Sequence, residues 1–134
     1  MIVFDTSAII DFLRGGGESR SIVEATEGRA ERIYVTVISQ YELLTPIYHK
    51  LLREEEENVR AFLRRSTILP LEKDSAEEST KIMGELFKLG IPVNALDTLI
   101  AGTAVVSGVD TIVAKDKDFE RISEIANIKI LLIS

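Results

Sequence analysis

Five acidic residues stand where short apolar segments end or where amphipathic segments begin: Asp5, Glu42, Asp97, Asp116 and Asp118. Carboxylates that converge repel one another, so a cluster of them costs free energy unless a cation neutralises it. Oxygen ligands suit hard cations, and two or three carboxylates together with water satisfy Mg²⁺. A metal held in this way activates a water molecule and stabilises charge on a phosphoryl oxygen. If these acids meet in the fold, they favour metal-dependent chemistry at a phosphate ester.

The composition removes most other chemistries. The chain has 134 residues, one His and no Cys, and 22 acidic against 16 basic residues give it a formal net charge of −6. Without Cys there are no disulfides, Cys-ligated zinc sites, iron–sulfur clusters or thiol nucleophiles, and a single His excludes a His-rich metal site. The length suits one compact domain over 1–134, and an apolar fraction of 46% is enough for its core.

The segments that must position the acids alternate between two kinds. Short apolar runs predict five strands, at 2–4, 33–37, 67–71, 111–114 and 128–133. Longer amphipathic runs predict helices at 6–14, 19–26, 39–53, 54–65, 74–89, 96–107 and 119–125. This alternation indicates an α/β fold with a parallel sheet covered by helices on both faces. Such sheets bind ligands beyond the carboxyl ends of their strands, which is where the acids are expected.

A purely structural role is also open for each acid, because all of them resemble helix caps. Asp5 precedes a helix, and the Ser-Gln-Tyr-Glu sequence at 39–42 has the form of a capping box in which the Glu reaches back. Asp97 could cap its helix or interact with the helix dipole, and Asp116 and Asp118 could cap the last helix. Asp97 has the strongest functional indication, because it interrupts the most apolar segment of the chain.

Taken in order, four segments resemble the motifs of the PIN domain family, and especially of the VapC toxins of toxin–antitoxin pairs. They are IVFDTSA at 2–8, VISQYEL at 37–43, NALDTLIA at 94–101 and IVAKDKDF at 112–119. The resemblance spans essentially the whole chain, with a departure at Ala114, where the family often has Thr. It implies a three-layer sandwich with a five-stranded parallel sheet and metal-dependent endoribonuclease activity. It also implies frequent homodimers and an inhibitory antitoxin partner.

The resemblance also implies that four of the acids are catalytic. Asp5, Asp97 and Asp116 are expected to hold Mg²⁺ or Mn²⁺ directly or through water, and Glu42 is expected to act through a water or to help activate the nucleophile. Asp116 is preferred as the fourth acid because it stands nearer the strand, whereas Asp118 is expected to cap the last helix, although it could reach the metal. A metal-activated water would attack an RNA phosphodiester in line and expel the 3′ oxygen.

Three further residues are expected to position the substrate. Thr6 and Ser7 could hold a phosphate or a metal-bound water through their hydroxyls, although both also suit a helix start, and Arg14 could reach the mouth of the site. The net charge of −6 argues against strong nonspecific RNA binding but not against a local basic rim. The basic residues within 50–53 and 60–65 are further candidates for that rim, although a solvated helix face accounts for most of them.

Two other functions stay open on the sequence alone. One is a PIN nuclease that acts in RNA processing rather than as a toxin, and the other is a module that keeps the fold for binding and has lost cleavage. Loss of the acids would mark the second, and they are present here. No signal peptide is visible, and the most apolar stretch contains Asp97 and Pro92, so a cytoplasmic protein without a membrane segment is expected.

Overall fold

The computed structural model describes all 134 residues and contains five strands and seven helices. The strands are β1 (Ile2–Phe4), β2 (Ile33–Thr36), β3 (Ser66–Leu69), β4 (Thr111–Ala114) and β5 (Lys129–Leu132). The helices are α1 (Thr6–Leu13), α2 (Gly17–Gly28), α3 (Val37–Lys50), α4 (Arg53–Arg64), α5 (Lys73–Lys88), α6 (Ala95–Val106) and α7 (Asp118–Ser123). All the predicted strands and helices are present, and no end shifts by more than three residues.

All five strands are parallel and lie in the order β3-β2-β1-β4-β5. The chain extends the sheet from β1 to one side and then returns to the other side of β1 with β4. At the centre, Val3 lies opposite Tyr34 of β2 and Ile112 of β4. Sheets of this kind bind ligands at the carboxyl ends of the strands where the order reverses, here beside β1 and β4. The predicted α/β fold with a five-stranded parallel sheet is confirmed.

Helices cover both faces of the sheet and create two hydrophobic cores. Successive strand residues point to opposite faces. Phe4 and Val113 enter the core formed with α1–α4, whereas Val3 and Ile112 enter the core formed mainly with α5–α7. Because both faces are buried, the central strands are apolar at nearly every position, which explains their continuous apolar sequence.

Helix α6 is the most apolar helix, and the fold buries it against α5. Its Gly102 allows the two helices to approach closely, since a Cβ at that position would lie 2.0 Å from Ser79 Oγ. The apolar stretch around Asp97 is therefore a core helix, as its interrupted sequence indicated. None of the helices combines the length and the apolar character needed to cross a bilayer.

The segment after β2 differs from the prediction in two ways. Helix α3 runs through Pro46 and ends at Leu51, which adopts a left-handed conformation (φ 56°, ψ 42°) and separates α3 from α4. The cap of α3 is Thr36, whose hydroxyl accepts a hydrogen bond from Ser39 N at 3.2 Å. The predicted capping box at 39–42 is thus wrong, because the helix starts earlier. Glu42 lies more than one turn inside α3, and its carboxylate binds another partner.

Candidate functional site

The predicted acids lie at the carboxyl edge of the sheet, around the ends of β1 and β4. Asp5 directly follows β1 and is the N-cap of α1, and Asp116 lies in the short loop between β4 and α7. Asp97 lies in the first turn of α6, and Asp118 is the first residue of α7. Glu42 approaches from α3, through a hydrogen bond to α1. The strand order thus brings together residues that are up to 113 positions apart.

Three of the acids form a tight group, which we call the three-acid cluster: Asp97, Asp116 and Asp118. One carboxylate oxygen from each lies within 4.8 Å of those of the other two. Asp97 is buried, Asp118 half-buried and Asp116 exposed, so the cluster opens towards solvent on one side. Oxygens at this spacing can bind one hard cation together, whereas without a cation their charges repel.

Asp97 is the acid that the fold leaves least compensated. No protein group donates a hydrogen bond to its carboxylate, and Asn94, three residues earlier, provides the cap of α6 instead. Burial is the largest cause that raises the pKa of Asp97 to about 7, and the nearby charges of Asp116, Asp5, Asp118 and Glu42 contribute to the same rise in that order. A buried carboxylate in this situation is stabilised by a proton or by a cation.

Asp5 is also buried, but the protein supplies it with donors. Ala8 N donates to Asp5 Oδ1 at 2.8 Å, and Ser7 Oγ lies 2.8 Å from both carboxylate oxygens. Burial raises the pKa of Asp5 to about 6, while the hydrogen bonds from Ala8 and Ser7 oppose that rise. Asp5 therefore caps α1, which is a structural role. Its carboxylate also lies close enough to Asp116 and Asp97 to repel their charges.

The hydroxyl of Ser7 connects Asp5 to the loop that carries Asp116. It donates to the Asp5 carboxylate and accepts hydrogen bonds from Lys115 N at 2.9 Å and Asp116 N at 3.0 Å. A serine hydroxyl has one donor and two acceptor positions, and all three are used here. This geometry favours a role for Ser7 in holding the acids in place. The predicted contact of Ser7 with substrate stays a prediction.

Thr6 holds the acid on α3 in a similar way. Its hydroxyl donates to Glu42 Oε1 at 2.7 Å and lies 2.9 Å from Ser39 Oγ. Glu42 is half-buried, and this bond fixes it at the edge of the site rather than at the start of its own helix. The consecutive residues Asp5, Thr6 and Ser7 therefore connect three parts of the site: the α1 cap, α3 and the β4–α7 loop.

The segment that carries Asp116 and Asp118 has a different geometry from the one expected. The cap of α7 is Lys117, which makes no side-chain cap, and Asp118 N donates instead to Asp116 Oδ1 at 2.9 Å. The expectation that Asp118 caps this helix is wrong, because the helix begins at Asp118 itself. Both Asp116 and Asp118 contribute an oxygen to the three-acid cluster.

The predicted basic residues divide into paired and unpaired ones. Arg14 ends α1 and lines a groove of about 470 Å³ with Glu42 and Lys50, and neither cation forms an ion pair. The 60–65 segment is different, because its three arginines pair with acids: Arg60 with Glu56, Arg64 with Glu57 and Arg65 with Glu27. That segment is neutralised, which leaves Arg14 and Lys50 as the unpaired cations of the groove that Glu42 lines.

Sequence reasoning missed Asp11 and Lys115. Lys115 Nζ lies 3.0 Å from Asp11 Oδ1, so a residue of α1 binds the residue that precedes Asp116. The only signal in the sequence was a Lys inside the fourth motif, and nothing in the spacing connected it to position 11. Gly16 lies beside the same acid, since a Cβ there would lie 1.9 Å from Asp11 Oδ2.

Comparisons with known proteins agree with this architecture. A family model described as PIN domain matches residues 2–125. Among solved structures, DNA-bound VapBC from Salmonella typhimurium contains a chain with 26% identity and a TM-score of 0.82, with 97% of this chain and 96% of that chain covered. VapBC2 from Rickettsia felis, bound to a DNA fragment from the promoter, gives 20% identity, a TM-score of 0.83 and 98% coverage of both chains.

A third structure supports the same fold at lower similarity. VapBC-5 from Mycobacterium tuberculosis, described as a member of the VapBC family of toxin–antitoxin systems, gives 22% identity and a TM-score of 0.73, with 98% of this chain and 97% of that chain covered. A search of curated sequences finds no significant match. The similarity thus extends over nearly the full length of each chain, which includes every residue of the site.

Proposed function

The chain belongs to the PIN domain family, and on this premise we propose that it is a metal-dependent endoribonuclease that acts as the toxin of a toxin–antitoxin pair. The observation that carries the proposal is the three-acid cluster, in which a buried, uncompensated Asp97 meets Asp116 and Asp118. Such a cluster is costly to maintain in a folded protein unless it binds a cation. Helix capping, the structural role that the sequence left open for each acid, accounts for Asp5 but not for Asp97.

The residues present fit a divalent cation such as Mg²⁺ or Mn²⁺. Asp97 and Asp116 would hold it, Asp118 is within reach, and Asp5 would contribute directly or through water. When bound, the cation would activate a water molecule and stabilise the charge that develops on the phosphoryl oxygens. Carboxylate oxygens with one side open to solvent match the preference of Mg²⁺ for a few protein ligands and several waters.

Glu42 is proposed to orient the attacking water or to accept its proton. Its carboxylate is fixed by the hydroxyl of Thr6 at 2.7 Å, which leaves the second oxygen for a water. The water would attack an RNA phosphodiester in line, and the 3′ oxygen would leave. General base catalysis needs a carboxylate that is both ionised and held in place, and the bond from Thr6 supplies the second condition.

RNA is proposed to approach along the groove beside Glu42. The unpaired Arg14 and Lys50 line this groove and can receive phosphates on either side of the bond to be cut. With a net charge of −6, binding would depend on these few cations rather than on a general positive field. This predicts modest affinity for RNA and a shallow dependence on salt.

Two protein partners are part of the proposal. The similar structure from Mycobacterium tuberculosis is described as a member of a family of toxin–antitoxin systems. The apolar floor of the Arg14 groove, including Leu13, Leu43 and Ile47, offers a surface for an antitoxin segment. A second copy of the chain is proposed to pack on α3, where Tyr41 and Tyr48 are 64% and 69% exposed on the face that also carries Val37 and Leu44. Large exposed aromatics at this spacing are typical of helix interfaces.

The test is an RNA cleavage assay on the purified chain with Mg²⁺ or Mn²⁺ added in increasing amounts. Asp97→Asn should lower the cleavage rate by at least about 100-fold, because it removes a metal ligand without changing the shape of the side chain. The matched control is Asp74→Asn, which changes an exposed acid in the first turn of α5 and should cut at the rate of the parent. Equal rates for the parent and Asp97→Asn would refute the metal assignment. A parent chain that binds an antitoxin but cuts no RNA at any metal concentration would favour the binding module.

A further inference from the structure

The loop that carries Asp116 is held on α1 by an ion pair as well as by Ser7. Lys115 Nζ lies 3.0 Å from Asp11 Oδ1, and the Asp11 side chain is 11% exposed while that of Lys115 is 49% exposed. Ser7 and Asp11 are four residues apart and therefore lie on the same face of α1. The loop thus has two attachment points on one helix face: the Ser7 hydroxyl for its backbone and the Asp11 carboxylate for its side chain.

Asp11 is itself held by the first turn of α2. Ser19 Oγ donates to Asp11 Oδ2 at 2.7 Å, and Ser19 is fully buried. The carboxylate also fills the space beside Gly16, where a Cβ would lie 1.9 Å from Oδ2. Oδ2 of Asp11 is therefore held by Ser19, and Oδ1 binds Lys115 Nζ. An ion pair of this kind loses little conformational freedom on the acid side, unlike a pair between two mobile surface chains.

We propose that the Asp11–Lys115 ion pair is a positioning device for the metal-binding acids, which holds the β4–α7 loop on α1 so that Asp116 stays beside Asp97. The need for it follows from the cluster, since Asp116 is exposed and is repelled by Asp97 and Asp118. The other hydrogen bonds between this loop and α1 are the two from the backbone N–H groups of Lys115 and Asp116 to Ser7 Oγ, so the ion pair is the one attachment made by a side chain of the loop. The inference rests on the proposed function, because it assigns these two residues to the support of the metal site.

The direction in which Mn²⁺ affinity changes when Lys115 is replaced distinguishes this proposal from a purely electrostatic effect. Removing a positive charge near three acids should strengthen the binding of a cation, if charge alone matters. If the ion pair positions Asp116, Lys115→Met should instead weaken Mn²⁺ binding by about 10-fold, which is the lower end of the effect of removing groups that orient metal ligands. The control is Lys117→Met, which removes the same charge two residues later, where no partner is present.

The experiment is calorimetric titration of Mn²⁺ into the purified full chain and its variants, with thermal unfolding to verify that each is folded. Asp11→Asn should weaken Mn²⁺ binding about as much as Lys115→Met, and the double variant should be no weaker than either single one, because both remove the same bond. Lys115→Arg should restore binding, since Arg can reach the same carboxylate. Lys117→Met should bind Mn²⁺ at least as tightly as the parent.

Hydrogen exchange gives a second measurement that does not depend on the metal. The amides of Lys115 and Asp116, which donate to Ser7, should exchange about 10-fold faster in Lys115→Met than in the parent, because the loop opens more often. Mn²⁺ binding in Lys115→Met that equals or exceeds that of the parent would overturn the inference while the proposed function stands. A rise in KM for RNA with unchanged Mn²⁺ affinity would also overturn it, since Lys115 would then bind substrate. A parent chain that binds no Mn²⁺ would contradict the proposed function and this inference together.

Discussion

Two buried aspartates lie at the same sheet edge and have opposite relations to the protein around them. Asp5 receives hydrogen bonds from Ala8 N and Ser7 Oγ, whereas Asp97 receives none and faces four other acids. Burial raises the pKa of both, to about 6 for Asp5 and about 7 for Asp97. The difference lies in the donors, since hydrogen bonds to the ionised form oppose the rise at Asp5 and nothing does so at Asp97.

The two acids therefore differ in role: the carboxylate of Asp5 forms hydrogen bonds that hold the fold together, whereas that of Asp97 forms none. The carboxylate of Asp5 caps α1 and connects, through Ser7, to the loop that follows β4, so its hydrogen bonds offset part of the cost of burying its charge. The carboxylate of Asp97 makes no such bond, and the folded protein bears the cost of holding it near Asp116 and Asp118. An acid that is buried without protein donors is the stronger indication of a ligand from outside the chain.

The largest expected effect concerns the pH dependence of metal binding at the uncompensated acid. Because a cation binds the ionised carboxylate, protons compete with it below the raised pKa of Asp97, about 7. Mn²⁺ should bind about 100-fold more weakly at pH 5 than at pH 8 from this group alone, with a slope of about tenfold per pH unit below pH 7. Calorimetric titration of the parent chain at several pH values measures this change.

The outcome of that titration tests the comparison directly. Deprotonation of Asp97 should also release about one proton per bound metal at pH 6, which titrations in buffers of different ionisation enthalpy detect. Mn²⁺ affinity that stays constant from pH 8 to pH 5 would mean that Asp97 is not a ligand.

The next effect concerns the stability of the chain without metal. The pKa of Asp97 is higher in the folded protein than in the unfolded one, so its contribution to stability is present at low pH and is lost as the pH rises to about 7. Asp97→Asn removes this loss, and we expect it to raise the free energy of unfolding by about 4 kcal/mol at pH 8, with almost no gain at pH 4, because folding raises the pKa from 3.8 to about 7. Urea unfolding in the presence of a chelator measures both values.

Asp5→Asn is the matched variant on the other side of the comparison. Its gain at pH 8 should be smaller, since the pKa of Asp5 rises only to about 6 and an Asn amide would place N–H donors against a Ser7 oxygen that already accepts two. An equal or larger gain from Asp5→Asn than from Asp97→Asn would show that the hydrogen bonds at Asp5 do not distinguish the two acids.

The smallest effect concerns the hydroxyl that holds Glu42. Thr6→Val keeps the shape of the side chain and removes its hydrogen bond to Glu42 Oε1. The Glu42 carboxylate should then become more mobile, and kcat for RNA cleavage should fall about threefold to tenfold. Mn²⁺ affinity should stay within about twofold of the parent, because the hydroxyl of Thr6 forms no hydrogen bond to the three clustered acids. Single-turnover cleavage and calorimetry measure the two quantities.

Thr45→Val is the control for this variant, because Thr45 is exposed on the same helix as Glu42 and its hydroxyl bonds only to the carbonyl of Tyr41. It should cut RNA at the rate of the parent. If Thr6→Val also cuts at that rate, the position of Glu42 does not depend on Thr6, and the role proposed for this acid loses its structural support.

The sequence was sufficient for the elements of the fold, because each depends on a local pattern. Continuous apolar runs predicted the buried strands, and β4 has the predicted ends at Thr111 and Ala114. The boundary between α3 and α4 was predicted one to three residues too late, since the left-handed turn at Leu51 uses a residue that does not ordinarily mark a turn. The capping box at 39–42 failed for a different reason, because Thr36 offered an earlier cap and Thr6 a competing partner for Glu42.

The candidate site divides in the same way. The order of the acids along the chain, which resembles that of a known family, was sufficient to name Asp5, Glu42, Asp97 and Asp116 as candidates. It could not distinguish Asp116 from Asp118, since both lie within reach of Asp97 once α7 begins. It also could not find Asp11 or Lys115, which are 104 residues apart and are ordinary charged residues in their own segments.

The sequence by itself therefore determined an α/β chain with acids at the ends of its strands, because hydrophobic period and residue type are local properties. Only the tertiary structure decided which acids have protein donors and which face one another. That decision depends on the strand order, which places β4 beside β1 and so brings Asp116 against Ser7 and Asp97. The pKa of a carboxylate follows from its burial and its neighbours, and both exist only after distant segments have packed together.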